Sequence, residues 1–284
     1  MTTDVPEQLT LEHMPTRLFA CTPSKLAAFD CPRRYRFTYL DRPTPQRGRP
    51  WAHNTVGAVV HVALHQWWLL PRERRTPETG ASLVVHNWQN LGFRDDEHSA
   101  QWREIAAGWV QQYLRDQVDA DDEPVGVERT VGTRSEHLAI SGRVDRIDDR
   151  DGELVIVDYK SGRSELTDDD ARGSQALALY VLGARRTLRR DCTRVELHHL
   201  PTGRVASFTH SDESLARHLN RAEQTAADIV VATDTLASGA DAEDVFPPVP
   251  SASCRWCDFR QHCPEGLATS PNTDPWAGLA NLEP

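Results

Sequence analysis

At 284 residues, with 39% hydrophobic and 26% charged residues, the chain has a globular composition and enough length for one large domain or two small ones. A formal net charge of −10 argues against a basic coat that grips long duplex DNA by counterion release alone. No run approaches eighteen apolar residues and the polar N-terminus shows no secretory signal, so a cytoplasmic protein with reduced thiols is expected, with no membrane span.

In chain order, residues 1–21 read as a loosely held lead-in. From Ser24, a good N-cap, the residues Leu26, Phe29, Tyr35, Phe37 and Leu40 give an amphipathic helical stretch interrupted at Cys31-Pro32. Residues 41–50 hold three prolines and form a loop. Thr55 to Leu70 reads as a helix that is apolar almost all round and therefore buried, with His61 and His65 four residues apart on one face. His65 is expected as a buried, hydrogen-bonded histidine. Two further helices are expected at about 80–91 and 98–118, before an acidic break from Asp119 to Pro124.

The pattern then switches to period two. Val125–Val131, His137–Ile147 and Leu154–Tyr159 read as three antiparallel strands, with Asp149-Arg150-Asp151-Gly152 supplying turn chemistry between the last two. Thr167 with Asp170 opens a helix running to about Leu188. Strands at 194–200 and 205–209, a long helix at about 212–235, a proline-rich loop and a cysteine segment follow. The tail from about 268 reads as disordered or draped. This order points to an α/β fold: a sheet flanked by helices, with an N-terminal helical subregion.

The residues that carry chemistry gather in the hairpin. Asp158 and Lys160, two apart on a strand, share one face at about 6.6 Å along it, and Asp145 on the partner strand can face Asp158. Hard divalent cations favour such carboxylates, and a phosphodiester under attack favours a metal with an ammonium beside it. The chain has thirty Arg and only two Lys, Lys25 and Lys160, so a merely exposed cation here would more naturally be Arg. The plainer reading of Asp158 and Lys160 is a solvated ion pair.

Gly-Arg-Val-Asp145, then Val-Asp158-Tyr-Lys160-Ser-Gly, and a following helix with Gln175 and Tyr180 resemble the core motifs of RecB-type nucleases of the PD-(D/E)XK superfamily. Gly57-Ala-Val-Val-His61 resembles the helical His motif of that group. Cys31-Pro-Arg-Arg-Tyr-Arg-Phe and Cys254-Arg-Trp-Cys257-Asp-Phe-Arg-Gln-His-Cys263 resemble the iron–sulfur staple of AddB-type and CRISPR-adaptation nucleases. Each motif is short; the resemblance rests on five of them in order.

The resemblance implies one restriction-endonuclease-like domain over 22–266. It would comprise a helical subregion at 54–118, a catalytic core at 124–210, a cysteine-bearing segment at 246–266 and a tail at 267–284. It implies His61, Asp145, Asp158 and the carbonyl of Tyr159 as ligands of Mg²⁺ or Mn²⁺. An imidazole ligand suits Mn²⁺. Lys160 would stabilise the charge growing on phosphate. Gln175 and Tyr180 would be the helix-motif residues, although they stand five apart where the family has four. Spacing alone leaves the cysteine ligands open between zinc and iron–sulfur; the resemblance favours a 4Fe–4S cluster on Cys31, Cys254, Cys257 and Cys263, with Arg33, Arg34 and Arg36 lining a DNA path beside it. Cys21 and Cys192 are expected as ordinary apolar residues.

The function implied is a DNA exonuclease on single-stranded or frayed ends, in repair or recombination. No P-loop is present, so duplex resection would need a separate helicase. The alternatives are a nucleic-acid-binding module without catalysis and a structural zinc protein.

Overall fold

The structure is a computed structural model and describes residues 18–162, 164–270 and 272–279; most of the expected lead-in, 1–17, and residues 280–284 of the tail lie outside the described residues. A short strand, β1 (Phe19–Cys21), precedes helix α1 (Pro23–Ala27), a 3-10 turn and helix α2 (Pro32–Tyr39). The helical stretch from Ser24 is thus two helices, broken at Cys31-Pro32 as the sequence indicates. Cys31 is extended (φ −129°, ψ 104°) and Pro32 restarts the helix at its first turn, where its missing N–H costs nothing.

Helices α3 (Ala52–Trp68), α4 (Pro77–His86) and α5 (Asp96–Gln117) form one layer. Thr76 and Asp95 cap the last two by accepting from Thr79 N and His98 N. Val56, Val60, Leu64, Trp67, Trp102 and Val110 are fully buried between them. Each such side chain contributes roughly 1.5–3 kcal/mol by leaving water.

The layer packs on one face of a six-stranded mixed sheet through Val155, Val157 and Tyr159. The central strands are β2 (Gly126–Arg134), β3 (Leu138–Arg150) and β4 (Glu153–Lys160). The β3–β4 hairpin closes on Asp151-Gly152, with Arg150 paired to Glu153. The expected helix after Thr167 is also two, α6 (Asp168–Gly173) and α7 (Gln175–Leu188), because Ser174 turns extended and caps α7 through Leu177 N. This crossover lays β5 (Cys192–His199) parallel to β4, and β6 (Arg204–Thr209) pairs antiparallel to β5. Helix α7 covers the other sheet face through Leu177 and Val181 against Val144, Ile147 and Ile156.

Two departures from a regular sheet shape the molecule. β2 runs along one edge of β3, while β1 (at 138–140) and β4 (at 146–150) take the two ends of the other edge. The sheet therefore forks between β3 and β4 beyond the Arg146–Val157 pair, where the register would set Asp145 across from Asp158. The side-chain alternation of β3 also slips here: Val144 and Ile147, three apart, both face α7, whereas Arg146 faces α5 and α3. Opposite the slip, Glu128 of β2 holds a positive φ of 49°.

The C-terminal half returns to the N-terminal segment. Helix α8 (Asp212–Ala237), helix α9 (Ala242–Val245), two 3-10 turns and helix α10 (Pro264–Thr269) follow β6. Ile229 of α8 and Phe246 are buried against Leu26 and Tyr35, with Tyr35 and Phe246 stacked. The tail is draped: Pro275 O accepts from Ala52 N, and Leu279 is buried in the helical layer.

Candidate active site

Four elements converge on the fork. α3 carries His61 there because Gly57, one turn earlier, lets the helix approach the end of β4; a Cβ on Gly57 would stand 3.1 Å from Ser161 Oγ. α7 lays Tyr180 across β3 because residue 142 is glycine, where a Cβ would overlap the Tyr180 ring. β3 and β4 supply Asp145, Asp158 and Lys160.

The polar atoms interlock. His61 Nδ1 lies 3.3 Å from Asp145 Oδ2, and its Nε2 lies 3.1 Å from the carbonyl oxygen of Tyr159. Tyr159 N–H donates to Asp145 Oδ2 at 2.8 Å, a bond to a carboxylate in place of the strand ladder. Lys160 Nζ is ion-paired with Asp158. Burial disfavours protonated His61, but the hydrogen bond and charge of Asp145, with Asp158, outweigh it and raise the pKa of the imidazole above its ordinary value. Burial raises the Asp158 carboxyl, Lys160 opposes it and Asp145 adds to the rise. Burial and the same two aspartates raise the Tyr180 phenol.

The sequence reading missed Glu128. Its carboxylate and the ligand atoms of His61 and Asp145 all lie within 4.8 Å of one another, the one such triad of His, Cys, Asp or Glu among the described residues. The donor set fits a divalent cation: carboxylates, an imidazole with acceptors on both nitrogens and a strand-end carbonyl. Nothing in the bare sequence distinguishes Glu128 from the solvent-facing residues of an alternating strand.

Beneath the fork the Tyr159 ring is fixed by a buried network. Arg146 Nη1 donates to the hydroxyls of Tyr113 (3.1 Å) and Tyr159 (3.3 Å), and Trp68 Nε1 donates to Tyr159 Oη at 3.2 Å. Tyr113 Oη reaches His198 Nδ1 at 2.8 Å, and His198 Nε2 reaches Glu196 at 3.0 Å. The atoms on which His61 and Asp145 rest are therefore held from below.

Other expected residues fall elsewhere. Gln175 does not join the fork; its Nε2 donates to His218 O at 3.3 Å, against α8, since five positions rotate it away from Tyr180. His65 is not buried: it is half-exposed and lines the cleft with His61, Arg143 and Tyr180. Cys21 and Cys192 are apolar core residues whose thiols burial pushes up to about 11 and about 12.

Cys31, Cys254, Cys257 and Cys263 line one cavity together with Phe37, Phe259 and Arg34. Backbone N–H groups of Ser251 and Gly266 donate to Cys254 Sγ (3.3 Å) and Cys263 Sγ (3.4 Å). Their sulfurs do not converge as a tight group: no three cysteine ligand atoms lie within 4.8 Å of one another among the described residues. Arg33 and Arg36 do not face a DNA path. Both are buried, Arg33 paired with Glu243 and Glu265, and Arg36 with Glu243 and Asp41, because the C-terminal segment folds over them. Arg34 is half-buried and donates to Ala27 O.

A forked mixed sheet brings carboxylates, an imidazole and an ammonium together at the fork, a donor set of the kind that holds a divalent cation. The sequence pattern of the PD-(D/E)XK nuclease superfamily matches residues 20–264, and the chain belongs to that superfamily. Among solved structures, one described as "Putative exonuclease" from Eubacterium rectale shares the fold at a TM-score of 0.53 and 12% identity, covering 85% of this chain and 86% of that one. The structure of SSO0001 aligns at 16% identity over 60% of this chain and 80% of that one, with a TM-score of 0.32 on which nothing rests. No curated protein matches the chain. No helix among the described residues is long and apolar enough to cross a membrane.

Proposed function

We propose that the protein is a metal-dependent deoxyribonuclease, an exonuclease on single-stranded or frayed DNA ends in repair or recombination, with a structural 4Fe–4S cluster in the cysteine cavity. The observation that carries the nuclease reading is the meeting of His61, Asp145, the Tyr159 carbonyl and the Asp158–Lys160 pair at one fork. His61, Asp145, Asp158 and the Tyr159 carbonyl would hold Mg²⁺ or Mn²⁺. The ion supplies Lewis-acid polarisation of a phosphodiester.

The chain's own groups do the rest. Lys160, with a side chain 44% exposed, can offer its ammonium to a phosphate oxygen or orient the attacking water while its other contact holds Asp158. Tyr180, with its phenol kept protonated, is a neutral donor on the far wall. With a net charge of −10, DNA contact would be local, and the exposed Arg143 at the rim of this cleft is one cation placed for it.

The cluster reading is supported by four cysteines on one cavity and by N–H groups aimed at two sulfurs. Tetrahedral zinc at about 2.3 Å from each sulfur needs sulfurs about 3.8 Å apart, closer than any three of these. Iron content of the purified protein separates the two metals.

The test is cleavage of end-labelled single-stranded DNA with each metal in turn. Cleavage should require Mg²⁺ or Mn²⁺, and Asp158→Ala should abolish it with the fold retained by circular dichroism. Wild-type rates in that variant would sink the site assignment. Binding without cleavage under any metal would point instead to a nucleic-acid-binding module.

A further inference from the structure

We infer that Glu128 is an additional ligand of the metal centre, and that Arg143 is the counter-ion it exchanges when the metal binds. The inference rests on the metal-dependent reading above and concerns which residues complete the centre.

Glu128 lies between Val127 and Arg129, whose partners Arg146 and Val144 flank Asp145; its side chain is 16% exposed, and it shares the 4.8 Å triad with His61 and Asp145. Its present partner is Arg143, whose Nε lies 2.6 Å from Glu128 Oε2 and whose side chain is 70% exposed. An ion pair with so exposed a guanidinium returns little, since solvent screens it. It gives no reason for a strand residue to hold a φ of 49°, a conformation costly for a side chain with a Cβ. That backbone does turn the carboxylate towards His61 and Asp145.

Charge gives the same answer. Glu128, Asp145 and Asp158 carry three negative charges, and Lys160 offsets one. The remaining two match one divalent cation with a neutral imidazole ligand. Without the cation, Arg143 stands against the Glu128 carboxylate in its place. With the cation bound, Arg143 is released at the cleft's exposed rim, beside Tyr180 and His65.

The test is Mn²⁺ binding to the full chain, read from the electron paramagnetic resonance signal of free Mn²⁺, so that turnover plays no part. Glu128→Gln should weaken binding about tenfold or more, because a charged ligand is lost. Arg143→Ala should bind Mn²⁺ more tightly than wild type, since the competing cation is gone. Glu128→Gly removes the carboxylate and relieves the backbone; it should melt no lower than wild type while losing the same affinity, which separates ligation from folding. Unchanged affinity in Glu128→Gln, or equal weakening in Glu128→Gln and Arg143→Ala, would overturn the inference and leave Glu128 as the partner of Arg143. Asp145→Asn and Asp158→Asn are the controls. If they also bind like wild type, the metal centre itself is misassigned, a failure distinct from that of Glu128 alone.

Discussion

Arg146→Met strikes the support of the site without touching its polar atoms. Arg146 is 4% exposed. Methionine keeps an apolar stem against Trp68 but removes the guanidinium, whose Nε lies 2.8 Å from Asp148 Oδ1 and whose Nη2 donates to Oδ2 at 2.9 Å. The bonds from Nη1 to Tyr113 and Tyr159 go as well. Each abandoned group retains one partner: Asp148 keeps Arg150, Tyr113 keeps His198 and Tyr159 keeps Trp68. The loss therefore falls at the low end of the cost of breaking a buried ion pair, about 3 kcal/mol. At roughly 2–4 °C per kcal/mol for a chain of this size, Tm should fall by about 6–12 °C. The Tyr159 backbone, which donates to Asp145 and offers its carbonyl to His61, should loosen with its ring, so Mn²⁺ affinity should fall alongside. Thermal melts by circular dichroism and Mn²⁺ titration read the two effects. A Tm within about 2 °C of wild type would refute the claim that the network holds the fork, and a lower Tm with unchanged Mn²⁺ affinity would confine it to stability.

Lys160→Met should leave DNA and metal binding nearly intact while single-turnover cleavage slows about a hundredfold or more; a change confined to DNA affinity would make Lys160 a mere grip on the backbone. Cys31→Ser should strip iron and lower Tm together, since a cluster joining Cys31 to Cys263 closes a loop of over two hundred residues, worth about 5.5 kcal/mol by chain entropy; full iron and normal melting would remove Cys31 from the ligand set. His210 is buried against Ser214, and burial, with His218 and Arg185 nearby, pushes its pKa down to about 4. Its unfolded value is about 6.5, so its contribution is complete above that pH and is lost as pH falls towards 4. His210→Gln should flatten the stability slope in that window in urea melts at stepped pH, and an unchanged slope would count against it.

What could be read from the sequence was what local chemistry dictates. The Asp-Gly turn flanked by Val and Ile set the β3–β4 register as far as the Arg146–Val157 pair, one step short of Asp145 and Asp158. Glycines at 57 and 142 belong to motifs whose sense is local, since each admits one neighbour. Glu128 was illegible because its special feature is a positive φ in mid-strand, and no residue type announces that. Arg33 and Arg36 were expected along a DNA path; their burial is decided by Glu243 and Glu265, more than two hundred residues away. β1 is three residues long, too short for alternation to register. His65 was expected inside because α3 is apolar nearly all round, yet one side of that helix faces the cleft that the forked strands leave open.

The pairing of Arg33 and Arg36 with partners near the other end of the domain also sets an order on the protein's birth. Helices α3 to α5 make mostly neighbouring contacts and can pack while later residues are still being added at the ribosome. Arg33 has no such option, and Arg36 finds only Asp41 nearby in the chain. Their carboxylates at Glu243 and Glu265 emerge only after the whole sheet, so the N-terminal segment waits until then with its arginines in water. Nearly complete synthesis is therefore a condition for closing the cysteine cavity, and a chain interrupted before Glu243 leaves Cys31, Tyr35 and both arginines exposed to the cell's proteases and chaperones.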